Sequence, residues 1–308
     1  MLTLSICIVL FFSYNVFQSN YLRILVSTKH TTTKHIIENV VISAAFNYPL
    51  ISFVRFIGSL RNTGYRDDIV LFVNDDLPSY IIDYLQYHQV KFNNKFAQTK
   101  DSKWGYDFIR FKSYADICKQ YRGFCISTDF RDSFFQVNPV FYLNSLRDVD
   151  LILSLEDPIF TLGSNSCNAN WISHCFNSEV LRQLSSFRVI CSGTVIANSK
   201  GMKAVWDIMH RELHKSNLSA ECFDQGVLNG AVRLNSIRDI SILLEERGFG
   251  IANTIGGADM ATLPRDKEGY ILNHDRNRSS IIHQYDRHTL LYEFVDKISS
   301  CSNVHCKI

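Results

Sequence analysis

Residues 123–139 read GFCISTDFRDSFFQVNP, an apolar run that leads directly into two carboxylates, Asp129 and Asp132. The apolar residues predict a buried strand, so both carboxylates follow its carboxyl end. In open α/β sheets, ligands bind just outside the carboxyl ends of the strands. Two carboxylates on one tight turn can converge on a hard divalent cation, Mg²⁺ or Mn²⁺. This stretch therefore predicts a metal-binding turn, and an acidic turn held by a local salt bridge is the alternative.

Arg131 stands between the two carboxylates, and two roles suit it. Its guanidinium can pair with a phosphate group, or it can hold the carboxylates in place through bidentate hydrogen bonds. A diphosphate leaving group carries charge that has to be neutralised as its bond breaks, and a bound cation does this. The acidic turn therefore suits chemistry on a diphosphate substrate.

Apolar, β-branched runs alternate with helical patterns of about ten residues on both sides of this turn, which is typical of βαβ units. Strands are predicted over residues 39–45, 68–74, 90–93, 123–127, 150–155, 189–197 and 280–283, and helices over residues 50–60, 79–88, 106–121, 199–214 and 221–232. The segment 163–175 is rich in Asn and Ser and is expected to be a loop with its own disulfide. We predict one α/β domain with a mostly parallel sheet flanked by helices.

The composition is that of an ordinary globular protein, with 308 residues, of which 46% are hydrophobic and 20% charged. This length can bury a large core. The net charge is only +2, and no run of basic residues with interleaved aromatics occurs. A near-neutral chain exerts little electrostatic attraction on nucleic acid, so we expect no nucleic-acid partner.

The amino terminus is apolar and uncharged from residue 2 to residue 17. This length suits the apolar region of a signal peptide and is shorter than the roughly 20 residues of a membrane span. We expect residues 1–17 to be a signal peptide or signal anchor, residues 18–35 a short stem, and residues 36–308 the folded domain. A buried first strand or helix is the alternative for the apolar segment.

Cysteine usage agrees with secretion, because eight cysteines follow Cys7 of the leader. An even number in an oxidising compartment indicates disulfides, whose pairing cannot be deduced from sequence. Cys167 and Cys175 are close enough to close a small loop, as are Cys301 and Cys306. No Cys-x-x-Cys motif occurs, so a structural zinc site is not expected.

Two Asn-x-Ser triplets begin at Asn217 and Asn277, and such triplets accept N-glycans in the secretory pathway. Together with the leader and the cysteines, they favour the lumen of the Golgi or endoplasmic reticulum. The chain would then be a type II membrane protein or a secreted protein.

Residues 128–139 resemble the metal-binding segment of glycosyltransferases of the GT-A fold, in which an apolar strand runs into an acidic motif, an aromatic residue, a glutamine and an Asn-Pro or Asp-Pro turn. Further similarities occur in the expected order between residues 38 and 290. They are FVRFIGSL at 53–60, Arg110 before the acidic strand, the small-residue turn Cys191-Ser192-Gly193-Thr194, Asp224-Gln225 with Leu228-Asn229, and His283. The acidic motif is Asp-x-x-Asp instead of Asp-x-Asp, so the resemblance is to the fold superfamily and the family stays open.

The resemblance implies that Asp129 and Asp132 bind Mn²⁺ or Mg²⁺ and that His283 is a third ligand through a ring nitrogen. A buried, hydrogen-bonded histidine is the alternative for His283. The residues implied to contact the nucleotide diphosphate or the donor sugar are Asn47, Arg110, Arg131 and Gly193. For Asn47, a role in the turn after the first strand is the alternative.

For catalysis, the resemblance points to Asp224 as a base or as the group that holds the acceptor hydroxyl, with Gln225 orienting the sugar. A carboxylate favoured by the helix dipole is the alternative for Asp224, and Glu156 and Asp157, at another strand end, are the second candidates for the base. The implied function is metal-dependent transfer of a hexose, with UDP-hexose as the expected donor, to a glycan, protein or lipid acceptor. A non-catalytic, secreted sugar-binding protein of the same fold and a metal-dependent phosphoester hydrolase are the other hypotheses.

Overall fold

The computed structural model describes residues 38–94, 106–146, 148–214 and 221–299. The predicted signal sequence and stem lie outside these residues, as do Asn217 and the pair Cys301 and Cys306. Within the described residues, no helix combines the length and the apolar character that crossing a membrane requires.

The strands form two sheets. In chain order they are β1 (Val40–Ala45), β2 (Asp68–Val73), β3 (Lys91–Asn93), β4 (Cys125–Thr128), β5 (Ser133–Phe135), β6 (Leu151–Leu155), β7 (Ile190–Ala197), β8 (Ile242–Glu245), β9 (Ala252–Thr254) and β10 (Ile281–His283). The main sheet has the strand order β3-β2-β1-β4-β7-β6-β8, and the small sheet has the order β5-β10-β9. Neighbouring strands of the main sheet are parallel, except that β7 is antiparallel to both β4 and β6. The predicted mostly parallel sheet is confirmed.

Helices cover both faces of the main sheet. They are α1 (Leu50–Phe53), which continues through a π-helical turn (Val54–Gly58) into α2 (Ser59–Asn62), then α3 (Ser79–Tyr87), α4 (Tyr106–Cys118), α5 (Pro139–Leu143), α6 (Ser166–Cys175), α7 (Ser178–Leu184), α8 (Ser199–Leu213), α9 (Asp224–Arg233), a 3₁₀ turn (Tyr285–Arg287) and α10 (Thr289–Ser299). Alternate residues of β1 enter different clusters. Val40 and Ile42 pack with α4 and α8, whereas Val41 and Ala45 pack with the helical segment after β1. This period of two is that of a strand buried on both faces.

The Asn-rich segment 163–175 is helical in its second part, so the expectation of a loop was wrong there. Helix α6 begins after Asn165, whose side chain accepts a hydrogen bond from the backbone N–H of Asn168 at 3.1 Å. An asparagine in this position satisfies a backbone donor that the first helical turn would otherwise leave unpaired. The same residue type that indicated a loop therefore starts a helix.

The disulfide expected within this segment was also wrong. Cys175 bonds to Cys222, with a Cα–Cα distance of 4.7 Å, and a second disulfide joins Cys118 to Cys125. Cys167 is free and exposed. Eight residues of helix separate Cys167 from Cys175, a rise of about 12 Å, which exceeds the span of a disulfide.

The small sheet brings the late residue His283 to the acidic turn. β5 begins immediately after Asp132, and β10 pairs antiparallel with it so that His283 lies opposite Ser133. The backbone N–H of Gln284 donates to the carbonyl oxygen of Asp132 at 2.7 Å. Register alone therefore places the histidine beside the carboxylates that follow β4.

Candidate functional site

A cavity of about 550 Å³ lies where three parallel strands of the main sheet end. Its wall includes Phe46 after β1, Asp129 after β4 and Glu156 after β6. This is the place where open α/β sheets bind ligands. The fold therefore directs all the site residues predicted from the sequence except Asn47 and Asp157 into one cavity.

Asp129, Asp132 and His283 form a cluster in this cavity, with one ligand atom of each within 4.8 Å of the others. The Nε2 atom of His283 lies 3.6 Å from Asp129 Oδ2 and 3.6 Å from Asp132 Oδ1. The histidine is 1% exposed, and its Nε2 atom has no hydrogen-bond partner. A buried polar atom without a partner costs about 1–3 kcal/mol. Two carboxylates and an imidazole nitrogen would hold a divalent cation, which would supply the missing partner.

The other ring nitrogen of His283 is oriented by two side chains behind it. Its Nδ1 atom lies 3.4 Å from the free thiol of Cys191 and 3.5 Å from the hydroxyl of Thr254. A proton on Nδ1 directed to these acceptors leaves the Nε2 lone pair facing Asp129 and Asp132. Such a partner on the far nitrogen is the usual way in which a metal-binding histidine is held.

Gly193 leaves the space that this cluster needs. A Cβ atom at this position would lie 2.6 Å from His283 Nε2 and 2.7 Å from Asp129 Oδ2. The carbonyl oxygen of Gly193 accepts a hydrogen bond from the backbone N–H of Asp129 at 2.8 Å. The close approach of β7 to the acidic turn therefore requires glycine.

Arg110, on α4, joins the cluster to α9. Its guanidinium donates to Asp129 Oδ1 and, at 2.6 Å, to Asp224 Oδ2, and its side chain is 13% exposed. Burial opposes ionisation of Asp129, but the Arg110 guanidinium outweighs it and holds the pKa of this carboxyl well below its usual range. Burial raises the pKa of Asp224, and Arg110 offsets only part of this effect. Asp129 and Asp224 thus both pair with the Arg110 guanidinium, but their pKa values are shifted in opposite directions.

The pair Asp224 and Gln225 begins α9 and makes a network with three further groups. Asp224 Oδ1 accepts from the hydroxyl of Ser192 at 3.3 Å, and Gln225 Oε1 accepts from the backbone N–H of Ser192 at 3.0 Å. Gln225 Nε2 donates to Glu156 at 3.0 Å and to the Asn168 side chain at 2.9 Å. Burial raises the pKa of Glu156, and the bond from Gln225 opposes this.

Helix α9 is anchored to β7 by Asn229. Its side-chain amide donates to the carbonyl oxygen of Ile190 at 2.7 Å and accepts from the backbone N–H of the same residue at 2.8 Å. The side chain thus pairs with Ile190 as a neighbouring strand would. The Asp-Gln-x-x-Leu-Asn pattern therefore combines two cavity residues with the residue that fixes their helix.

The remaining predicted residues differ in position. Arg131 lines the cavity and pairs with Asp286 at 3.1 Å. Asn47 has a φ of 60° and exchanges hydrogen bonds with the side chain of Asn74, at 2.6 and 2.8 Å, outside the cavity lining. The structure thus places Asn47 in a turn, and its contact with a nucleotide stays a prediction.

Sequence reasoning gave no role to Asn168 and Trp171 of α6 or to Phe223, although all three line the cavity. The first two lie in the segment expected to be a loop. The signal that could have found them is Asn165, since an asparagine before a helical pattern is a helix start. Phe223 carries no such signal, because only its place before Asp224 brings it to the cavity.

Comparisons with known proteins find similarity in structure and not in sequence. No family model matches the chain, and no curated protein matches it. The galactosyltransferase LgtC, in complex with donor and acceptor sugar analogs, is similar with a TM-score of 0.52 and 13% identity, over 86% of this chain and 97% of that one. An active-site mutant of LgtC gives a TM-score of 0.51 and 11% identity over the same shares.

The bifunctional glycosyltransferase WbbM is also similar, with a TM-score of 0.52 and 13% identity over 87% of this chain and 50% of that one. At these identities the likeness establishes the fold alone. The chain has a GT-A-like fold, as the sequence predicted, and its family stays open.

Proposed function

We propose that this protein is a metal-dependent glycosyltransferase that moves a hexose from a nucleoside-diphosphate sugar to a glycan, protein or lipid acceptor. The observation that carries the proposal is the cluster of Asp129, Asp132 and the unpartnered Nε2 of His283 at the carboxyl ends of the strands. A GT-A-like fold supports it, since it is the fold of LgtC and WbbM.

The chemistry assigned to the cluster is neutralisation of charge on the leaving group. A bound Mn²⁺ or Mg²⁺ would stabilise the negative charge that develops on the departing diphosphate. Asp129 and Asp132 supply oxygen ligands, and Gly193 keeps the space before them open. Arg131, exposed at the edge of the cluster, can pair with a phosphate oxygen.

Asp224, Gln225 and Glu156 are proposed to act on the sugar and the acceptor. Gln225 is fixed by Ser192 and Asn168, so the two carboxylates beside it are held in a constant position. A carboxyl whose pKa is raised by burial is a better general base than an ordinary one. In this respect Glu156 and Asp224 are both suited to receive a proton from an acceptor hydroxyl.

A UDP-hexose donor and a place in the secretory pathway are the finer parts of the proposal. Residues 1–17 would be the signal peptide or anchor, residues 18–35 the stem and residues 36–308 the catalytic domain. Two disulfides support an oxidising compartment. Asn277, which begins one Asn-x-Ser triplet, is exposed.

The test is hydrolysis of donor by the full-length protein, made in a secretory host, across a panel of nucleotide sugars with Mn²⁺, Mg²⁺ or a chelator. We expect one donor to be hydrolysed only with a divalent cation, and Asp132→Ala or His283→Ala to abolish the activity. Asp76→Ala is the matched control, since Asp76 is an exposed carboxylate outside the cavity lining. If no nucleotide sugar with Mn²⁺ raises the melting temperature and none is hydrolysed, the transferase proposal fails.

A further inference from the structure

Two aromatic pairs line the cavity that contains the cation cluster, the group of Asp129, Asp132 and His283. Phe46 and Tyr106 have ring centroids 5.0 Å apart, and Phe46 directly follows β1. Trp171 and Phe223 have centroids 5.5 Å apart and lie on α6 and just before α9. In the sheet, β1 lies on one side of β4, and β7, which anchors α9, lies on the other. Phe46 of the first pair therefore lies at the β1 side of β4, and the second pair adjoins the helix anchored on its β7 side.

We infer that Trp171 and Phe223 form a stacking platform for a pyranose ring of the acceptor, so that the acceptor is a carbohydrate. This rests on the proposed function and narrows it from glycan, protein or lipid to an acceptor that presents a sugar. Nucleotides bind in open α/β sheets where the strand order reverses, at the ends of β1 and β4. Phe46 and Tyr106 lie on that side, which leaves the second pair for the other substrate.

The surface of this pair has the character that a sugar face requires. Phe223 is 39% exposed and Trp171 is half-buried, and both rings line the cavity. Aromatic rings provide a rigid apolar surface with a preferred stacking geometry, to which the C–H face of a pyranose is complementary. The next residue after Phe223 is Asp224, so a hydroxyl of a stacked ring would lie beside the carboxylate proposed to receive its proton.

The platform is held rigidly by contacts between α6 and residues 221–225. The disulfide Cys175–Cys222 joins the two segments. About two turns earlier on α6, the side-chain amide of Gln225 donates to the Asn168 side chain at 2.9 Å. A Cβ on Gly226 would lie 2.9 Å from the Trp171 Cβ, so the two helices touch at this point. A rigid surface lowers the cost of ordering side chains when a ligand binds.

The experiment measures two rates in the full-length protein: donor hydrolysis by water and transfer to a panel of methyl hexopyranosides. We expect Trp171→Ala and Phe223→Ala each to raise the acceptor KM about five- to tenfold, the factor that one lost aromatic contact gives. Donor hydrolysis should stay within about twofold of the wild-type rate, because neither ring lies on the β1 side. Trp171→Phe, which keeps an aromatic face, should recover most of the affinity.

Phe141→Ala is the matched control, since Phe141 is 70% exposed and lies outside the cavity lining. Phe223→Ala guards against loss of folding, because the exposed ring of Phe223 contributes less to packing than Trp171 does. An unchanged acceptor KM in both alanine variants would overturn the platform. A fall in the donor hydrolysis rate as large as the loss of acceptor affinity would overturn it too.

Failure of the proposed function is distinguishable from failure of the platform. If the wild type hydrolyses no donor, the transferase proposal is wrong, and the platform is judged by binding of the same methyl glycosides in saturation-transfer NMR. Glycoside binding that Phe223→Ala abolishes would keep the platform as a sugar site. Glycosides that bind neither the wild type nor the variant would reject it.

Discussion

Arg110 is the single residue on which the charge balance of the cavity depends most. Its guanidinium donates to Asp129 and to Asp224. Asp132 lies beside Asp129, with its Oδ1 atom 3.6 Å from His283 Nε2. Charges removed from water are tolerated when they are paired, and removing one partner leaves a buried charge uncompensated. Five carboxylates and three guanidinium groups line the cavity, and this excess of negative charge suits a divalent cation.

Arg110→Met is expected to lower the free energy of unfolding by about 3 kcal/mol or more at pH 7. Without the guanidinium, the pKa of Asp129 and of Asp224 rises in the folded protein. A carboxyl whose pKa is higher in the folded than in the unfolded state makes the folded state less stable as pH rises above its unfolded value of about 3.9. The difference from wild type should therefore shrink as pH is lowered from 7 to 4, which urea unfolding at each pH measures.

The control is Lys119→Met, since the Lys119 side chain is 57% exposed and that of its partner Asp116 is 55% exposed. Exposed pairs contribute less than about 1 kcal/mol, so this variant should unfold close to wild type. An equal loss of stability in Arg110→Met at both pH values would mean that lost packing, and not lost charge pairing, is the cause.

Among single residues, the sequence indicated those that directly follow apolar strands and missed those that hold another cavity residue in place. Asp129, Glu156 and His283 each stand at a strand end, which local pattern predicts. Ser192 was visible only as part of a small-residue turn, and Asn168 lay in the segment that was expected to be a loop. Both contact Gln225, from 33 and 57 positions away, and no periodicity reports a contact at that range.

Among the elements, the long buried strands were all predicted, whereas of the short strands β3, β4 and β10 were predicted and β5, β8 and β9 were missed. β1, β2 and β7 are runs of six to eight mostly buried residues, long enough for burial to appear in composition. β5 and β9 have three residues each. A run of three residues does not establish a period, so their pairing with β10 could not be foreseen. The reversal of β7 was not predicted either, because an apolar run indicates burial and not direction.

The two disulfides stabilise elements to different extents. In the chain-entropy account, a crosslink stabilises more when it closes a longer loop. Cys175 and Cys222 are separated by 47 positions, and Cys118 and Cys125 by 7. Replacing the first pair by serines should cost about 4 kcal/mol, against about 2 kcal/mol for the second. Guanidinium unfolding of the two double variants measures the difference.

Cys167→Ser provides the control, because Cys167 is free and exposed, and its stability should match that of the wild type. Equal costs for the two double variants would contradict an origin in loop length. The Cys175 and Cys222 variant would also loosen α6 against α9, so its acceptor KM is a second readout of the stacking platform.

Across the whole molecule, the cation cluster belongs to both sheets. The main sheet delivers Asp129 at the end of β4, and the small sheet delivers His283 at the end of β10. The buried apolar residues are divided in the same way. Two apolar clusters lie on the faces of the main sheet, and a third lies around Phe134, Ile282 and Tyr285. A ligand bound by Asp129, Asp132 and His283 would therefore link the small sheet to the main sheet.

Hydrogen exchange should reveal this connection. With Mn²⁺ and UDP, peptides that contain β5 and β10 should exchange at least tenfold more slowly, because opening the small sheet would break ligand bonds as well as backbone bonds. The amide of Gln284, which donates to Asp132, is the most direct reporter. The amide of Val90, bonded to Leu85 before the edge strand β3, should not change. Equal slowing at both places would indicate general stabilisation instead.

The fold class was predictable because alternation of strands and helices is a property of the whole chain, which single errors do not remove. The structure has helix α6 where a loop was expected at 163–175, which changes one wall of the cavity but not the sheet. The small sheet was not predictable, although its late strand was. Its three strands come from residues 133–135, 252–254 and 281–283, which only the folded chain brings together.

The position of β10 has a consequence for the order in which the protein is made. Strands β1 to β4 leave the ribosome early, whereas His283 follows Asp132 by about 150 positions, so the contact between them closes late and over a large loop. A nascent chain that has completed its main sheet still lacks His283. A cation held by Asp129, Asp132 and His283 would therefore bind only at the end of folding, and withholding it would remove that final stabilisation without impairing the earlier steps.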